Sequence, residues 1–133
     1  MTKEQILENF DPSQPGLADA TIFGLPFSAE QSEIIVIPVP WEVTVSYGSG
    51  ASKGPDAVLD ASFQVDLNHQ EFPELWKLGI YIDKPAKELK KKSKKFKKQA
   101  APIIKALESG MILDHHPSLM KDLEEINYAC SDM

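Results

Sequence analysis

The sequence contains no arginine, so its 14 basic side chains other than histidine are all lysines. The planar guanidinium group that grips carboxylates and phosphates in a bidentate manner is therefore absent. The formal net charge of -6 argues against general nucleic-acid binding. We therefore expect no nucleic-acid partner.

Cysteine and long apolar runs are equally scarce. The single cysteine, Cys130, excludes a disulfide framework and is typical of a reducing cytoplasm. No apolar run approaches the length of a membrane span, and the first ten residues, MTKEQILENF, lack the apolar core of a secretory signal. We therefore expect a cytoplasmic protein that has no membrane partner.

The residues that are present indicate a globular α/β chain with an uneven charge distribution. Of the 133 residues, 42% are hydrophobic and 26% are charged. Nine lysines against Glu88 give residues 84–98 a charge of +8, which leaves -14 for the rest. We interpret this run as a solvated helix face, with binding of an acidic partner as the alternative.

One apolar strand followed by a polar loop is the most informative segment. The residues Ile34-Ile35-Val36-Ile37 show no alternation, which predicts a strand from Glu33 to Pro38 covered on both faces by helices. A loop rich in Gly and Ser follows, and Gly54-Pro55 predicts a helix start that continues to about residue 62. Loops of this kind, at the carboxyl ends of parallel strands, are where α/β proteins bind ligands.

The next residues predict two more strands. Phe63, Val65 and Leu67 alternate with polar residues, and a second alternating run extends from Trp76 to Ile82. The two runs could also pair as an antiparallel ribbon.

The carboxyl-terminal third predicts helices. A helical period begins near Pro85 and stops at Gly110, with Pro102 indicating either a kink or two helices. A last helix begins near Pro117 and ends without Gly, Pro or a basic turn, which we interpret as truncation. Its apolar face contains Leu119, Leu123, Ile126 and Cys130, so we expect Cys130 to be a core residue.

Several blocks resemble the amino-terminal portion of the ureohydrolase family, which includes arginase, agmatinase and formiminoglutamase. The matching blocks are Val39-Pro40-Trp41-Glu42, the loop with Thr44 and Ser46-Tyr47-Gly48-Ser49-Gly50, and the helix start Gly54-Pro55-Asp56-Ala57-Val58-Leu59-Asp60-Ala61-Ser62. Residues 64–67 and 101–110 also look like agmatinase-type relatives, although many agmatinases have arginines where Gly48 and Ser52 stand here. The similarity is greatest to agmatinase.

The resemblance implies the first part of a three-layer α/β/α sandwich with a mainly parallel sheet, here incomplete. The turn-forming residues Asp11-Pro12 and Gln14-Pro15-Gly16 predict an amino-terminal arm or surface segment over residues 1–32. The resemblance begins at about Ile34 and implies a partial ureohydrolase-like domain over residues 33–133, truncated before the metal-binding motifs. It also implies a reaction in which two Mn²⁺ ions activate a hydroxide that attacks a guanidino carbon and releases urea. Relatives act on small guanidino substrates and form trimers or hexamers, so a homo-oligomer is possible.

The metal-binding motifs of that family, Gly-Gly-Asp-His, Asp-x-His-x-Asp and Asp-x-Asp-x-x-Asp-Pro, do not occur in the sequence. Asp114-His115-His116 lacks the double glycine, and we interpret it as a polar linker, while His69 reads as an ordinary loop residue. We therefore expect no catalytic residue and no metal ligand on this chain, and no manganese bound to it.

Four residues of the loop could line a substrate entrance in the complete enzyme: Trp41, Glu42, Ser46 and Tyr47. The alternative is that Trp41 packs against the sheet and that Glu42 is solvated.

Two functional hypotheses follow. The first is an amino-terminal fragment of a manganese-dependent ureohydrolase, agmatinase-like, that is inactive on its own; arginase and formiminoglutamase are the alternatives within the family. The second is a stand-alone, non-catalytic binding module that uses the Gly/Ser loop or the lysine helix.

Overall fold

The computed structural model describes residues 1–16, 20–45 and 48–132. The chain divides into two compact units. The first combines Met1–Val39 with Lys53–Ala86, and the second combines Pro40–Ser52 with Lys87–Met133. The predicted division into an arm and a partial domain at residue 33 stays a prediction.

The first unit contains two short strands and two helices. Strand β1 (Ile34–Val36) pairs in parallel with β2 (Ile80–Ile82), with Ile34 opposite Ile80. Helix α1 (Lys3–Asn9) begins at a Thr2 capping box. Helix α2 (Gly54–Ser62) has Pro55 in its first turn, as the sequence predicts. The result is a mixed helix and strand structure with a small parallel sheet, compatible with an incomplete α/β fold.

Side chains from the first 32 residues form much of the core of this unit. Ile6, Leu25 and Phe27 are buried together with Trp76. The ring of Phe10 lies 5.2 Å from that of Trp76, at a tilt of 52°. The predicted arm therefore contributes to a packed cluster.

Strand β1 differs from its prediction in cover. The side chain of Ile37 is 73% exposed and that of Val39 is 54% exposed, and Ile34 and Ile35 are also exposed. The expected helical cover of both faces is not observed among the described residues. A neighbouring strand hydrogen-bonds along an edge and covers neither face, so the pairing with β2 leaves the side chains of Ile34 and Ile35 exposed.

The predicted strand at 63–67 is wrong. Backbone bonds from Gln64 to Ala61 and from Val65 to Ser62 form turns that follow α2. The side chains of Phe63 and Val65 are exposed, so these alternating apolar residues do not form one buried face of a strand.

The second run is a strand only in its last part. Residues Leu75–Leu78 form a 3₁₀ helix that leads into β2. Between them, Gly79 has φ +75°, and a Cβ there would lie 2.9 Å from the carbonyl oxygen of Gln31. The parallel pairing of β2 with β1 also contradicts an antiparallel ribbon.

The described part of the second unit contains two α-helices, a short 3₁₀ helix at Leu113–His115 and the loop 40–52. Helix α3 (Lys87–Glu108) is continuous, with Pro102 inside it, so the two-helix alternative is wrong. It stops where Gly110 adopts φ +76°, as predicted. Helix α4 (Pro117–Ser131) begins at the predicted proline.

The core of this unit lies between α3, α4 and the loop. Its buried members are Val43, Phe96, Ala100, Ile103 and Ile126. Cys130 is exposed, so its predicted core position is wrong. Leu119, Leu123 and Ala129 of α4 pack against this core, so near the end of the helix the position that meets the core is Ala129 and not Cys130.

Candidate functional site

The loop 40–52 is held to α3 by apolar contacts on one side. Pro40 is fully buried, and Val43 belongs to the core cluster. The ring of Trp41 lies 6.1 Å from that of Phe96 on α3, at a tilt of 51°. Trp41 therefore packs against helix α3 within the second unit.

Between these apolar residues, Glu42 is buried with its carboxylate surrounded by donors. The residue is 3% exposed, so the alternative that it is solvated is wrong. Its Oε1 accepts from the hydroxyl of Ser49 at 2.8 Å and from the ammonium of Lys97. Its Oε2 accepts from the Gly50 amide at 3.0 Å and from both the amide and the hydroxyl of Ser52, at 3.0 and 3.1 Å. We call Glu42, Ser49, Gly50, Ser52 and Lys97 the Glu42 cluster.

Helix α3 also binds the backbone of Glu42. The amide of Glu42 donates to the hydroxyl of Ser93 at 2.9 Å, and that hydroxyl donates to the carbonyl oxygen of Glu42 at 3.2 Å. Ser93 and Lys97 are four residues apart, so they lie on one side of the helix, one turn from each other. One side of α3 thus holds both the backbone and the carboxylate of Glu42.

The donors keep Glu42 ionised. The hydrogen bond from Lys97, followed by those from the Ser52 amide and the Ser49 hydroxyl, holds the pKa of Glu42 far below its ordinary value of 4.5. Burial acts in the opposite direction and is outweighed. A carboxylate with such a pKa is a poor proton donor or acceptor near neutral pH.

Glycine gives the loop the conformation that this arrangement needs. Gly50 has φ +145° and Gly48 has φ +108°, a region that residues with a Cβ rarely adopt. At Gly50 this backbone directs the amide to Oε2 of Glu42. The glycines therefore serve loop geometry.

Of the four residues predicted to line a substrate entrance, two can be placed. Trp41 and Glu42 are adjacent and both contact α3. Ser46 and Tyr47 lie outside the described residues. The binding role of the four residues stays a prediction.

Sequence reasoning missed Lys97 and Ser93. Lys97 is one of nine lysines in residues 84–98, and nothing in the run distinguishes it from its neighbours. Ser93 offered a weak indication, because it is the one small hydroxyl residue in the run and follows the helical period of buried Phe96 and Ala100.

The described residues do not fit a manganese pair. Within residues 1–16, 20–45 and 48–132, no three His, Cys, Asp or Glu side chains are grouped so that they could hold a metal ion. We therefore derive no metal-dependent step from these residues.

The histidines occupy linkers. Asp114 and His115 are exposed, and His116 immediately precedes α4, as the polar-linker interpretation requires. The Nδ1 of His69 accepts from the amides of Glu71 and Phe72 at 3.2 and 3.3 Å, which confirms an ordinary loop residue.

In the part of the chain that the structure describes, no helix combines the length and apolar character needed to cross a bilayer.

A comparison with known proteins relates part of this chain to a ureohydrolase. A 60-residue part of the chain is 38% identical to the N(1)-aminopropylagmatine ureohydrolase of Synechocystis sp. (strain ATCC 27184 / PCC 6803 / Kazusa). The match covers 44% of this chain but only 20% of the length of that relative. No family model matches the chain, and no solved structure matches it. The similarity supports a relationship to the ureohydrolase family and goes no further than that family.

Proposed function

We propose that this chain supplies the amino-terminal portion of a manganese-dependent, agmatinase-like ureohydrolase of the cytoplasm, which hydrolyses a guanidino C–N bond and releases urea. In the complete enzyme the portion would form the first part of a three-layer α/β/α sandwich. Arginase-like and formiminoglutamase-like activities are the alternatives within the family.

The observation that carries the proposal is the 38% identity over 60 residues to a protein whose name states an action on N(1)-aminopropylagmatine. The ordered blocks from Val39 to Ser62 support the same family. The parallel pairing of β1 and β2 and the polar loop that follows β1 along the chain are compatible with it.

The proposal assigns the chemistry and the loop to different parts of the complete enzyme. The manganese pair would supply the nucleophilic hydroxide, and the described residues do not fit that pair. The loop 40–52 would form part of the wall of the substrate site. We therefore expect the 133-residue chain to release no urea on its own.

A chimera tests the family and the role together. The aligned segment of the Synechocystis enzyme would be replaced by the matching segment of this chain, and urea would be measured with agmatine and N(1)-aminopropylagmatine in the presence of Mn²⁺. We expect urea release from the chimera and none from the 133-residue chain. A folded chimera without activity would contradict the family assignment, and urea release by the chain alone, abolished by EDTA, would contradict its inactivity.

The alternative of a non-catalytic binding module makes a different physical prediction. It requires a sharp thermal transition and little binding of an apolar dye such as ANS. The exposed side chains of Ile35, Ile37 and Val39 on and after β1 favour the ureohydrolase portion, because such a surface binds dye and promotes association. A dye titration with a thermal melt of the same sample distinguishes the two.

A further inference from the structure

We infer that Glu42 does not bind the substrate guanidinium and is a positioning residue, which together with Lys97 fixes the loop 48–52 at the substrate wall. The substrate wall is part of the function proposed above. The fixation of the loop by Glu42 and Lys97 can be tested without it.

The first argument is the number of acceptor sites on Glu42. A carboxylate has about four lone-pair directions. Five donors already occupy them: the hydroxyls of Ser49 and Ser52, the amides of Gly50 and Ser52, and the Lys97 ammonium. A guanidinium group binds a carboxylate through two parallel hydrogen bonds. No pair of free lone pairs remains on Glu42 to accept them.

The second argument is charge. The single negative charge of Glu42 is balanced by the single positive charge of Lys97 in contact with it. Lys97 also donates to the hydroxyl of Ser49, which itself donates to Glu42. A second cation at Glu42 would have to displace Lys97 from a buried carboxylate, which is unfavourable because it breaks an established pair.

The third argument is the direction of the bonds. The amides of Gly50 and Ser52 both point to Oε2, so the backbone on either side of Ala51 is tied to one atom. Ser93 and Lys97 tie Glu42 itself to α3. The amides of Gly50 and Ser52 are therefore connected to the 22-residue helix α3 through the side chain of Glu42.

Amide hydrogen exchange on the isotope-labelled 133-residue chain tests the inference. Replacing Lys97 by Met should accelerate exchange of the Gly50 and Ser52 amides by about tenfold or more, because their acceptor loses its counter-charge. Lys98→Met is the matched control, since Lys98 is the adjacent lysine, is exposed and has no ion pair among the described residues. The control should leave both rates within about twofold of the unmodified chain. Lys97→Arg keeps the charge and should restore most of the protection.

A measurement on the unmodified chain addresses the substrate claim directly and does not depend on the folding of a variant. The carbon-13 resonance of the Glu42 carboxylate would be followed while agmatine is added to about 10 mM, enough to saturate a millimolar site. We expect no shift. A shift that saturates with agmatine, or unchanged exchange at Gly50 and Ser52 in a folded Lys97→Met variant, would overturn the inference. Neither result bears on the chimera, whose failure would leave the Glu42 cluster unaffected.

Discussion

Strand β1 in the first unit and the loop 40–52 in the second reverse the usual relation between polarity and burial. The strand is apolar, yet Ile34, Ile35 and Ile37 are exposed. The loop contains a carboxylate that is buried. The comparison shows that burial follows the partners available: Glu42 has five donors around it, whereas β1 has one neighbouring strand.

The largest effect on stability is expected for a buried isoleucine, with an exposed isoleucine as its control. Ile103 on α3 is 4% exposed, whereas Ile37 is 73% exposed. Ile103→Ala should lower the free energy of unfolding by about 3 kcal/mol, because it removes buried methyl groups and leaves a cavity. Ile37→Ala should change it by less than about 0.5 kcal/mol. Urea denaturation measures both, and equal losses would contradict the exposure of Ile37.

The next effect concerns the buried carboxylate. Glu42→Gln keeps the shape but removes the charge that faces Lys97, so we expect the melting temperature to fall by about 5 °C. Glu124→Gln, at an exposed position on α4, is the matched control and should shift it by less than about 1 °C. Circular dichroism during heating measures both. Equal shifts of the melting temperature would show that the Glu42 carboxylate contributes no more to stability than that of an exposed glutamate.

The pH dependence of stability tests the ionised state of Glu42, with the unmodified chain and the Glu42→Gln variant compared. The pKa of Glu42 is lowered in the folded chain, mainly by the hydrogen bond from Lys97. The ionised carboxylate therefore contributes its full stabilisation above the pKa of an unfolded glutamate, about 4.3. That stabilisation is lost as the pH falls through the lower pKa of the folded chain. The stability difference between the unmodified chain and Glu42→Gln should therefore be constant from pH 7 to about 5 and shrink below about pH 4. Denaturation at a series of pH values measures this. A difference that grows on acidification would have the wrong sign for a lowered pKa.

The smallest effect is expected at an exposed ion pair on the same helix as Lys97. Lys91 lies 3.0 Å from Glu88, and both side chains are exposed. Lys91→Gln should cost about 0.3 kcal/mol, since water and salt screen such pairs. Its melting temperature should be nearly that of the unmodified chain. If Lys91→Gln lowered the free energy of unfolding as much as Lys97→Met, the burial of Glu42 would not make the Lys97 ion pair stronger than the exposed Lys91 pair.

Much of the helical structure could be predicted because its determinants are local. Pro55 and Pro117 mark helix starts and Gly110 marks a stop, and each acts through its own backbone geometry. The alternation at Phe63 to Leu67 misled, because a period of two specifies a strand only where another strand is present to pair with it.

The candidate site could be predicted only in part. The loop and the residues Trp41 and Glu42 are recognisable from composition and from the resemblance to ureohydrolases. Their surroundings are not, because Lys97 lies 55 positions from Glu42 along the chain. Sequence spacing contains no information about such a contact unless both residues belong to a known motif.

The sequence by itself determined the starts of α2 and α4, the end of α3 and the glycine-rich character of the loop, since these depend on single residues and their immediate neighbours. Only the tertiary structure decided which lysine meets Glu42, which isoleucines stay exposed and why position 79 must be glycine. Those outcomes depend on close approach between segments that are distant in the sequence, because the interaction energy of two charges changes strongly with their separation and their burial.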